Sequence, residues 1–191
     1  MKNSLKSLQL IGFIFACIAG VLLHYVFVWS GGNIIVACFS PINESIWEHA
    51  KLIFFSMLIF AFIENHITKH RIRNFWRIKL AGIGLGTLLV PMLYYTYVYG
   101  LGITAGWFNI IAYFIEAAIV MLVETALFIN CNSCGYSRDP SEASATSFSE
   151  RGALVIFFII IFVFALFTFM PPELPLFKDM VTGTYGFFAR I

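Results

Sequence analysis

The sequence predicts an all-α polytopic membrane helix bundle, with about five transmembrane helices in a single integral membrane domain of residues 1–191. Composition supports this class, because 60% of the 191 residues are hydrophobic, only 12% are charged and the mean hydropathy is +0.88. A soluble domain carries about 25% charged residues. The apolar residues also form separate runs near the ~20 residues that a helix needs to cross a hydrocarbon core. Because the net charge is only +2, we expect membrane lipids and no nucleic acid as partners.

The predicted spans follow from these runs in chain order. The first is too long for the apolar core of a signal peptide and lacks a small-residue cleavage site, so we interpret it as a retained anchor. The second contains a run of only 12 residues, Leu52–Ile63, that is apolar apart from Ser56, and needs the polar segment before it to supply the missing turns. The spans are Leu8–Trp29, Ser45–Ile63, Ile78–Tyr99, Ile103–Ile129 and Gly152–Met170, with cytoplasmic loops at about 64–77 and 130–151 and an outer tail at 171–191.

The basic residues predict how these spans are oriented. Nine of the 12 Lys and Arg residues fall on one side of the predicted spans, and by the positive-inside rule that side is cytoplasmic. With five spans, the N-terminus is then inside and the C-terminus outside. The long segment 130–151 is rich in Ser and acidic residues, which is typical of a mobile linker. The nine basic residues are Lys2, Lys6, Lys69, Arg71, Arg73, Arg77, Lys79, Arg138 and Arg151.

Residues 40–51, SPINESIWEHAK, are the most informative segment, because two carboxylates, an imidazole, a serine and a lysine precede an apolar helix. The pattern Ser45-Ile-Trp-Glu48 matches a capping box, which accounts for part of this polarity. We expect Glu44 and Glu48, four residues apart, to share one helical face, and Ser45 and His49 to share the adjacent face. At 1.5 Å per residue, His49 lies about 21 Å from the cytoplasmic end of its span, inside the outer leaflet.

Other polar side chains are expected to reach the same region. His24 lies about 7.5 Å below the outer end of the first span, at a depth similar to that of His49. Glu116 lies near the middle of the fourth span, and Glu124 lies closer to the cytoplasm. A carboxylate facing lipid costs several kcal/mol, so both glutamates should face the bundle interior or carry a proton.

The third span combines small residues with tyrosines. Gly82, Gly84 and Gly86 predict a face on which neighbouring helices approach closely. The run Tyr94-Tyr-Thr-Tyr-Val-Tyr99 predicts an interfacial aromatic belt, although Tyr94 or Tyr95 is also placed to reach the outer-leaflet site of His49.

Two sequence patterns carry a family resemblance. The first is NESxWEH at residues 43–49, and the second is PPxxPLFxD at residues 171–179. On these motifs the chain resembles an uncharacterised family of small multi-pass membrane proteins from clostridia and related bacteria, over nearly its whole length. The resemblance implies the bacterial cytoplasmic membrane and supplies no activity. Both motifs fall on the predicted outer side, so we expect the tail to fold back as a lid, with Asp179 or Lys178 pairing with Lys51 or Glu44.

Three functions remain open at this point. The first is a hydrolase acting on a lipid or a lipid-linked group with zinc or another divalent metal, because imidazole and carboxylate are suitable ligands. The second is a substrate-binding or ion-binding component of a transport system, working as a homo-oligomer or with a partner subunit. The third is a non-catalytic membrane scaffold. The single CxxC, Cys131 and Cys134, is weak evidence for a metal or redox site.

The candidate site residues fall into three groups. The catalytic candidates are Glu44, Glu48 and His49. The metal-ligand candidates are His24, His49 and Glu48, with Glu116 as the alternative to Glu48. The binding candidates are Asn43, Ser45, Trp47, Lys51, Tyr94, Tyr95, Glu116, Glu124 and Asp179.

Overall fold

The computed structural model describes residues 2–68, 72, 74–133 and 140–187, and the side chains of residues 5–68, 72, 74–130 and 150–187. These residues form six α-helices and no β-strand. The helices are α1 (Lys2–Trp29), α2 (Ile34–Ala37), α3 (Ile46–Ile67), α4 (Phe75–Tyr95), α5 (Trp107–Ser133) and α6 (Pro140–Phe169), with a π-helical turn at Thr96–Gly100 and a 3-10 turn at Pro175–Phe177.

Five of these helices are long and apolar enough to cross a membrane, which confirms the predicted all-helical class and agrees with the predicted number of spans. They are α1, α3, α4 with its π-helical turn, α5 and α6. We call the end of the bundle where α1 ends and α3 begins the motif end, and the other end the distal end. Because successive long helices alternate in direction, the end of α6 also lies at the motif end.

The helices extend further at the distal end than predicted. Helix α3 continues to Ile67, α4 begins at Phe75 and α6 begins at Pro140, so the predicted loops 64–77 and 130–151 are too long. Proline suits the first position of a helix, where its missing N–H has no partner to lose. Several residues used in the predictions lie outside the described residues: Lys69, Arg71, Arg73, Cys134, Arg138 and Arg190, as do the side chains of Lys2 and Cys131.

Helix α3 is the centre of the bundle. In its most apolar stretch 72% of residues are buried, against 22% to 33% in the other four spans. It packs against α1 and α4, while α4 also packs against α5 and α6. The outward faces of the surrounding helices carry large exposed apolar side chains such as Phe158 and Phe162. Such faces suit contact with acyl chains.

Small residues allow α4 to approach its neighbours, as the sequence predicted. A methyl group at Gly86 would lie 2.6 Å from Val120 of α5 and 3.2 Å from Ile53 of α3, and one at Gly82 would overlap the side chain of Glu124. A methyl group at Gly84 would meet open space. Only two of the three glycines therefore serve packing within the bundle.

The segment after α6 folds back onto the motif end. The Phe187 N–H donates to the Thr168 carbonyl oxygen at 3.0 Å. Phe177 is buried, with its ring centroid 5.0 Å from that of Trp47 and 5.3 Å from that of Phe167. This aromatic cluster holds the tail beside the start of α3 and so positions it next to the polar segment.

Candidate functional site

The polar segment divides where α3 begins. Ser45 is the N-cap, and its hydroxyl accepts the N–H of Glu48 at 3.3 Å, while its own N–H donates to Asn43 Oδ1 at 3.0 Å. The helix starts at Ile46, so Glu44 precedes it and has no helical register. The expectation that Glu44 and Glu48 share one helical face is therefore wrong, and the two carboxylates point to different surroundings.

Glu48 turns into the protein and forms a closed network with Lys51. Their side chains are 3% and 0% exposed, and Lys51 Nζ lies 2.7 Å from Glu48 Oε2. Lys51 also donates to the Ala37 carbonyl oxygen at 2.9 Å and to the Thr168 hydroxyl at 2.5 Å. Glu48 accepts the Ile42 N–H at 3.0 Å, and its Oε1 lies 3.1 Å from the Thr168 hydroxyl, whose one proton is shared with the Phe164 carbonyl oxygen at 2.8 Å. Every charged group here has partners, so this network ties α3, the loop before it and α6 together.

Glu44 instead bridges two imidazoles. Its Oε1 lies 3.4 Å from His24 Nε2, its Oε2 lies 3.3 Å from His49 Nε2, and the two ring centroids are 5.5 Å apart. We call these three side chains the His–Glu–His array. The predicted meeting of His24, His49 and a motif carboxylate does occur, but the carboxylate is that of Glu44 rather than that of Glu48.

Two acceptors orient the ring of His49 in the array. His49 Nδ1 lies 2.9 Å from the Ser45 carbonyl oxygen, and its Nε2 faces the Glu44 carboxylate. Each acceptor can receive a hydrogen bond from the ring nitrogen that faces it. The hydrogen bond from His24 and the charges of the two imidazoles lower the pKa of Glu44, against partial burial and the nearby Asp179 carboxylate. Glu44 is therefore an ionised group whose charge is already balanced.

The array forms one wall of a cavity of about 660 Å³ at the motif end. The opposite wall comes from the end of α4 and the first half of α5, and the tail contributes Met180 and Val181. No Lys or Arg occurs among the described residues that line it. Its polar lining residues are His24, Tyr25, Glu44, His49, Tyr94, Tyr97, Thr104, Asn109, Tyr113 and Glu116.

Glu116 is the one carboxylate of this lining without a partner. It is 4% exposed, and no described residue donates a hydrogen bond to it or forms an ion pair with it. The neighbouring hydroxyls are engaged elsewhere, since Tyr97 donates to Asn109 Oδ1 at 2.6 Å and Tyr113 donates to the Ala16 carbonyl oxygen at 2.7 Å. A buried carboxylate thus faces the cavity with its hydrogen-bonding capacity unused.

Asp179 fixes the tail beside the cavity. This side chain is 1% exposed, and its Oδ1 accepts the Glu44 N–H at 3.3 Å and the Val181 N–H at 3.0 Å. Its Oδ2 accepts the Thr182 hydroxyl at 2.6 Å. The sequence predicts that Asp179 or Lys178 pairs with Lys51 or Glu44. The contact that forms joins Asp179 to the backbone N–H of Glu44, and Lys178 is exposed.

Two other binding candidates lie away from the cavity. Trp47 packs among aromatic rings of α6 and the tail, with its ring centroid 4.9 Å from that of Phe164. Tyr95 is 36% exposed and does not line the cavity, whereas its neighbour Tyr94 does. Of the two tyrosines predicted for the site, only Tyr94 lines the cavity, and Tyr97 of the same run lines it as well.

Glu124 belongs to a second buried charge cluster, at the distal end. Lys79 Nζ lies 2.5 Å from Glu124 Oε2 and 2.6 Å from Glu64 Oε2, and Gln9 donates to Glu64 Oε1 at 2.5 Å. Lys79 is 3% exposed, so its side chain is buried in the bundle, and its assignment to the cytoplasmic side stays a prediction. The cluster joins α1, α3, α4 and α5, and its lysine neutralises one of two carboxylates.

The sequence interpretation missed several polar residues that complete the cavity. The site residues predicted from the sequence include neither Asn109 nor Tyr113. Together with Glu116 they are spaced i, i+4 and i+7 on α5, the pattern of one helical face. That spacing within an apolar span was a usable signal.

The predicted metal ligands are not assembled as a set. Glu48 is engaged with Lys51, and among the described residues no group of three or more His, Cys, Asp and Glu side chains has an arrangement that could hold a metal ion. The contacts of the array are those of shared hydrogen bonds. The cavity therefore presents acid–base groups and aromatic rings to a ligand.

Comparison with known proteins identifies a family and no activity. Residues 1–187 match a family described as a family of unknown function, DUF6512. No curated protein and no solved structure matches the chain. The predicted resemblance to an uncharacterised family is confirmed at the level of family membership, while the clostridial origin and the family-wide motifs stay predictions.

Proposed function

Because the chain belongs to DUF6512, a family of unknown function, we propose its function from the cavity: it binds a small amphipathic organic cation within the membrane. We place it in the bacterial cytoplasmic membrane, N-terminus inside and C-terminus outside, so that the cavity opens to the outer leaflet. The protein then acts as the binding component of a transport process. The observation that carries this proposal is the unpaired, buried carboxylate of Glu116.

The charge of the lining supports a cationic ligand. Two carboxylates line the cavity, and no Lys or Arg does so among the described residues. Glu44 is balanced by the imidazoles of His24 and His49. Glu116 has no such partner, and leaving a buried polar group unpaired costs free energy. A cation from outside the protein would supply the missing charge and remove that cost.

The rings of the lining support an organic cation with an apolar body. Tyr94 and Tyr97 both line the cavity with their ring centroids 5.4 Å apart. The negative face of an aromatic ring attracts cations such as quaternary ammonium groups. Apolar residues make up much of the remaining lining, including Leu52 and Val90. A hydrated inorganic ion would gain nothing from these surfaces.

The position of the cavity supports entry from the lipid. Val21, Tyr25 and Ile110 line the cavity and are also exposed, at 44%, 49% and 56%. In a membrane such faces would contact acyl chains. Glu116 lies nine residues along α5 from Trp107, which is about 14 Å from the end of the helix at 1.5 Å per residue. An amphipathic cation partitioned into the outer leaflet would reach Glu116 through this side.

The test uses two ions of nearly the same shape and opposite charge, tetraphenylphosphonium and tetraphenylborate. Binding to the detergent-purified protein is measured by isothermal titration calorimetry. We expect saturable binding of the cation and none of the anion. Hydrogen bonds and ion pairs to charged groups contribute about 1.5–3 kcal/mol, so Glu116→Gln should weaken cation binding about 10-fold to 100-fold.

The control variant is Glu173→Gln, which removes a carboxylate from the exposed tail outside the cavity lining. It should leave the affinity for tetraphenylphosphonium unchanged. Equal binding of the anion, or equal loss of affinity in both variants, would contradict the proposal.

One observation favours hydrolysis as a second candidate function. The Ser45 carbonyl oxygen holds His49 through Nδ1 and directs Nε2 to Glu44 at the cavity wall, an arrangement that can transfer protons to and from a bound substrate. Cleavage of a fluorogenic phospholipid ester that is lost in Glu44→Gln and His49→Gln but kept in Glu116→Gln would select this function. Binding of tetraphenylphosphonium that depends on Glu116, with no ester cleavage, would exclude it.

A further inference from the structure

Glu116 combines three properties that bear on how a ligand would bind. It is 4% exposed, it lines the cavity and no described residue pairs with it. An ionised carboxylate in such surroundings would carry a desolvation cost of several kcal/mol with nothing to offset it. In the absence of a ligand, the protonated carboxylic acid is therefore the stable form.

The groups around Glu116 do not change this conclusion. Tyr113 on its own helix and Tyr97 at the end of α4 donate their hydroxyls to other acceptors. His24 of α1 and His49 of α3 line the same cavity, but both contact Glu44, whose negative charge balances an imidazolium. The lining contains no lysine or arginine among the described residues.

From this arrangement we infer that binding of an organic cation releases one proton from Glu116, so that the cavity is a site of proton–cation exchange. The inference rests on the proposed binding function and adds that cation binding is coupled to the release of a proton. The O–H bond of the Glu116 carboxyl breaks, the electron pair stays on the carboxylate and the proton leaves to water at the cavity mouth. The cation takes the place of the proton as the counter-charge, and no bond to the ligand forms.

The exchange has a quantitative consequence for affinity. Where Glu116 is protonated, each unit of decrease in pH should weaken cation binding about tenfold, because the proton and the cation compete for one carboxylate. At high pH, where the carboxylate is free, the affinity should be independent of pH. A protein with this property converts a difference in proton concentration across the membrane into a difference in cation occupancy.

Tetraphenylphosphonium is the probe for the test, since it has no proton to lose and any proton released must come from the protein. We would titrate the wild-type protein in two buffers of different ionisation enthalpy, from about pH 5 to about pH 8. The number of protons released per bound cation follows from the difference in heat. We expect about one at the acid end, falling toward zero as the pH rises.

Two variants identify the source of the proton. Glu116→Gln should bind weakly and without proton release, and its affinity should not vary with pH. Glu173→Gln, which lies in the exposed tail outside the cavity lining, should keep both the binding and the release. Proton release that survives in Glu116→Gln, or that is lost in Glu173→Gln while binding is kept, would overturn the inference.

The wild-type protein alone separates the two proposals. Cation binding with no proton released at any pH would overturn the exchange and leave the binding function standing. Absence of cation binding at every pH would overturn both. One proton per cation at the acid end, with affinity that follows pH, would support both.

Discussion

Replacing Lys51 by Met should destabilise the protein through the carboxylate that it leaves behind. Lys51 and Glu48 are 0% and 3% exposed, and their charged atoms are 2.7 Å apart. Without the ammonium group, Glu48 keeps two neutral donors, the Ile42 N–H at 3.0 Å and the Thr168 hydroxyl at 3.1 Å. Breaking a buried ion pair by removing one partner costs about 3–5 kcal/mol. The two remaining donors favour the lower end, about 3 kcal/mol.

The double variant Lys51→Met, Glu48→Gln separates the charge from the packing. A neutral glutamine can keep the contacts with Ile42 and Thr168, and methionine fills most of the space of the lysine stem. Replacing both ions of a buried pair by neutral residues is often close to neutral in stability. We therefore expect the double variant to lie within about 1 kcal/mol of wild type and to recover most of the loss.

Unfolding in mixed micelles of increasing SDS content, followed by tryptophan fluorescence, measures these free energies. Lys178→Met is the matched control, because it removes an exposed lysine of the tail and should change stability by less than about 0.5 kcal/mol. Additive losses in the two single variants, with no recovery in the double variant, would refute the structural role of the pair. Loss of tetraphenylphosphonium binding in the stable double variant would instead show that Glu48 or Lys51 contributes to ligand binding.

Three further predictions concern packing, the distal charge cluster and pH. A methyl group at Gly86 would lie 2.6 Å from Val120, so Gly86→Ala should lower the free energy of unfolding by about 1–3 kcal/mol. A methyl group at Gly84 meets open space, so Gly84→Ala should not destabilise the protein. SDS titration of both variants checks this difference. Lys79→Met leaves two buried carboxylates without their shared cation and should lower the free energy of unfolding by at least about 3 kcal/mol in the same assay. The fraction of this variant that is folded should bind tetraphenylphosphonium with unchanged affinity. The pKa of Glu44 is lowered, so its contribution to stability is fully present above the ordinary carboxyl range and is lost as the pH falls through the lowered value. Thermal unfolding measured against pH should therefore show a midpoint temperature that falls in acid, and the fall should be smaller in Glu44→Gln.

Hydropathy is sufficient to predict five long apolar helices, but not where they end. All five occur, yet the sequence prediction assigns Glu64 to a loop and counts Lys79 among the basic residues of the cytoplasmic side. Glu64 lies inside α3 and Lys79 lies inside α4, where their charged atoms form an ion pair. A window of hydropathy counts each charge as a cost, whereas a pair at 2.6 Å removes much of that cost. Only the packing of α3 against α4 shows the pair, so the sequence alone gives no reason to place Glu64 inside the helix.

The motif was predictable as a polar cluster but not as two separate sites. The i, i+4 rule applies only within a helix, and the N-cap at Ser45 leaves Glu44 outside α3. The capping pattern is visible in the sequence, and it implies that Glu44, which precedes the N-cap, lies outside the helix. The assignment of His24 to the same site depended on depth alone, and the contact at 3.4 Å agrees with it. The face of α5 that carries Asn109 and Glu116 was visible as a spacing and needed the fold to show what it faces.

The pairing of the other acidic side chains in the bundle is the strongest argument that Glu116 binds a ligand. Glu48 is matched by Lys51, Glu64 and Glu124 share Lys79, and Glu44 lies between two imidazoles. Asp179 is satisfied by backbone and hydroxyl donors. A fold that supplies partners to these five buried or half-buried carboxylates has the means to supply one to a sixth. Glu116 instead lies on the wall of the cavity, and the partner that it lacks has room to arrive from outside.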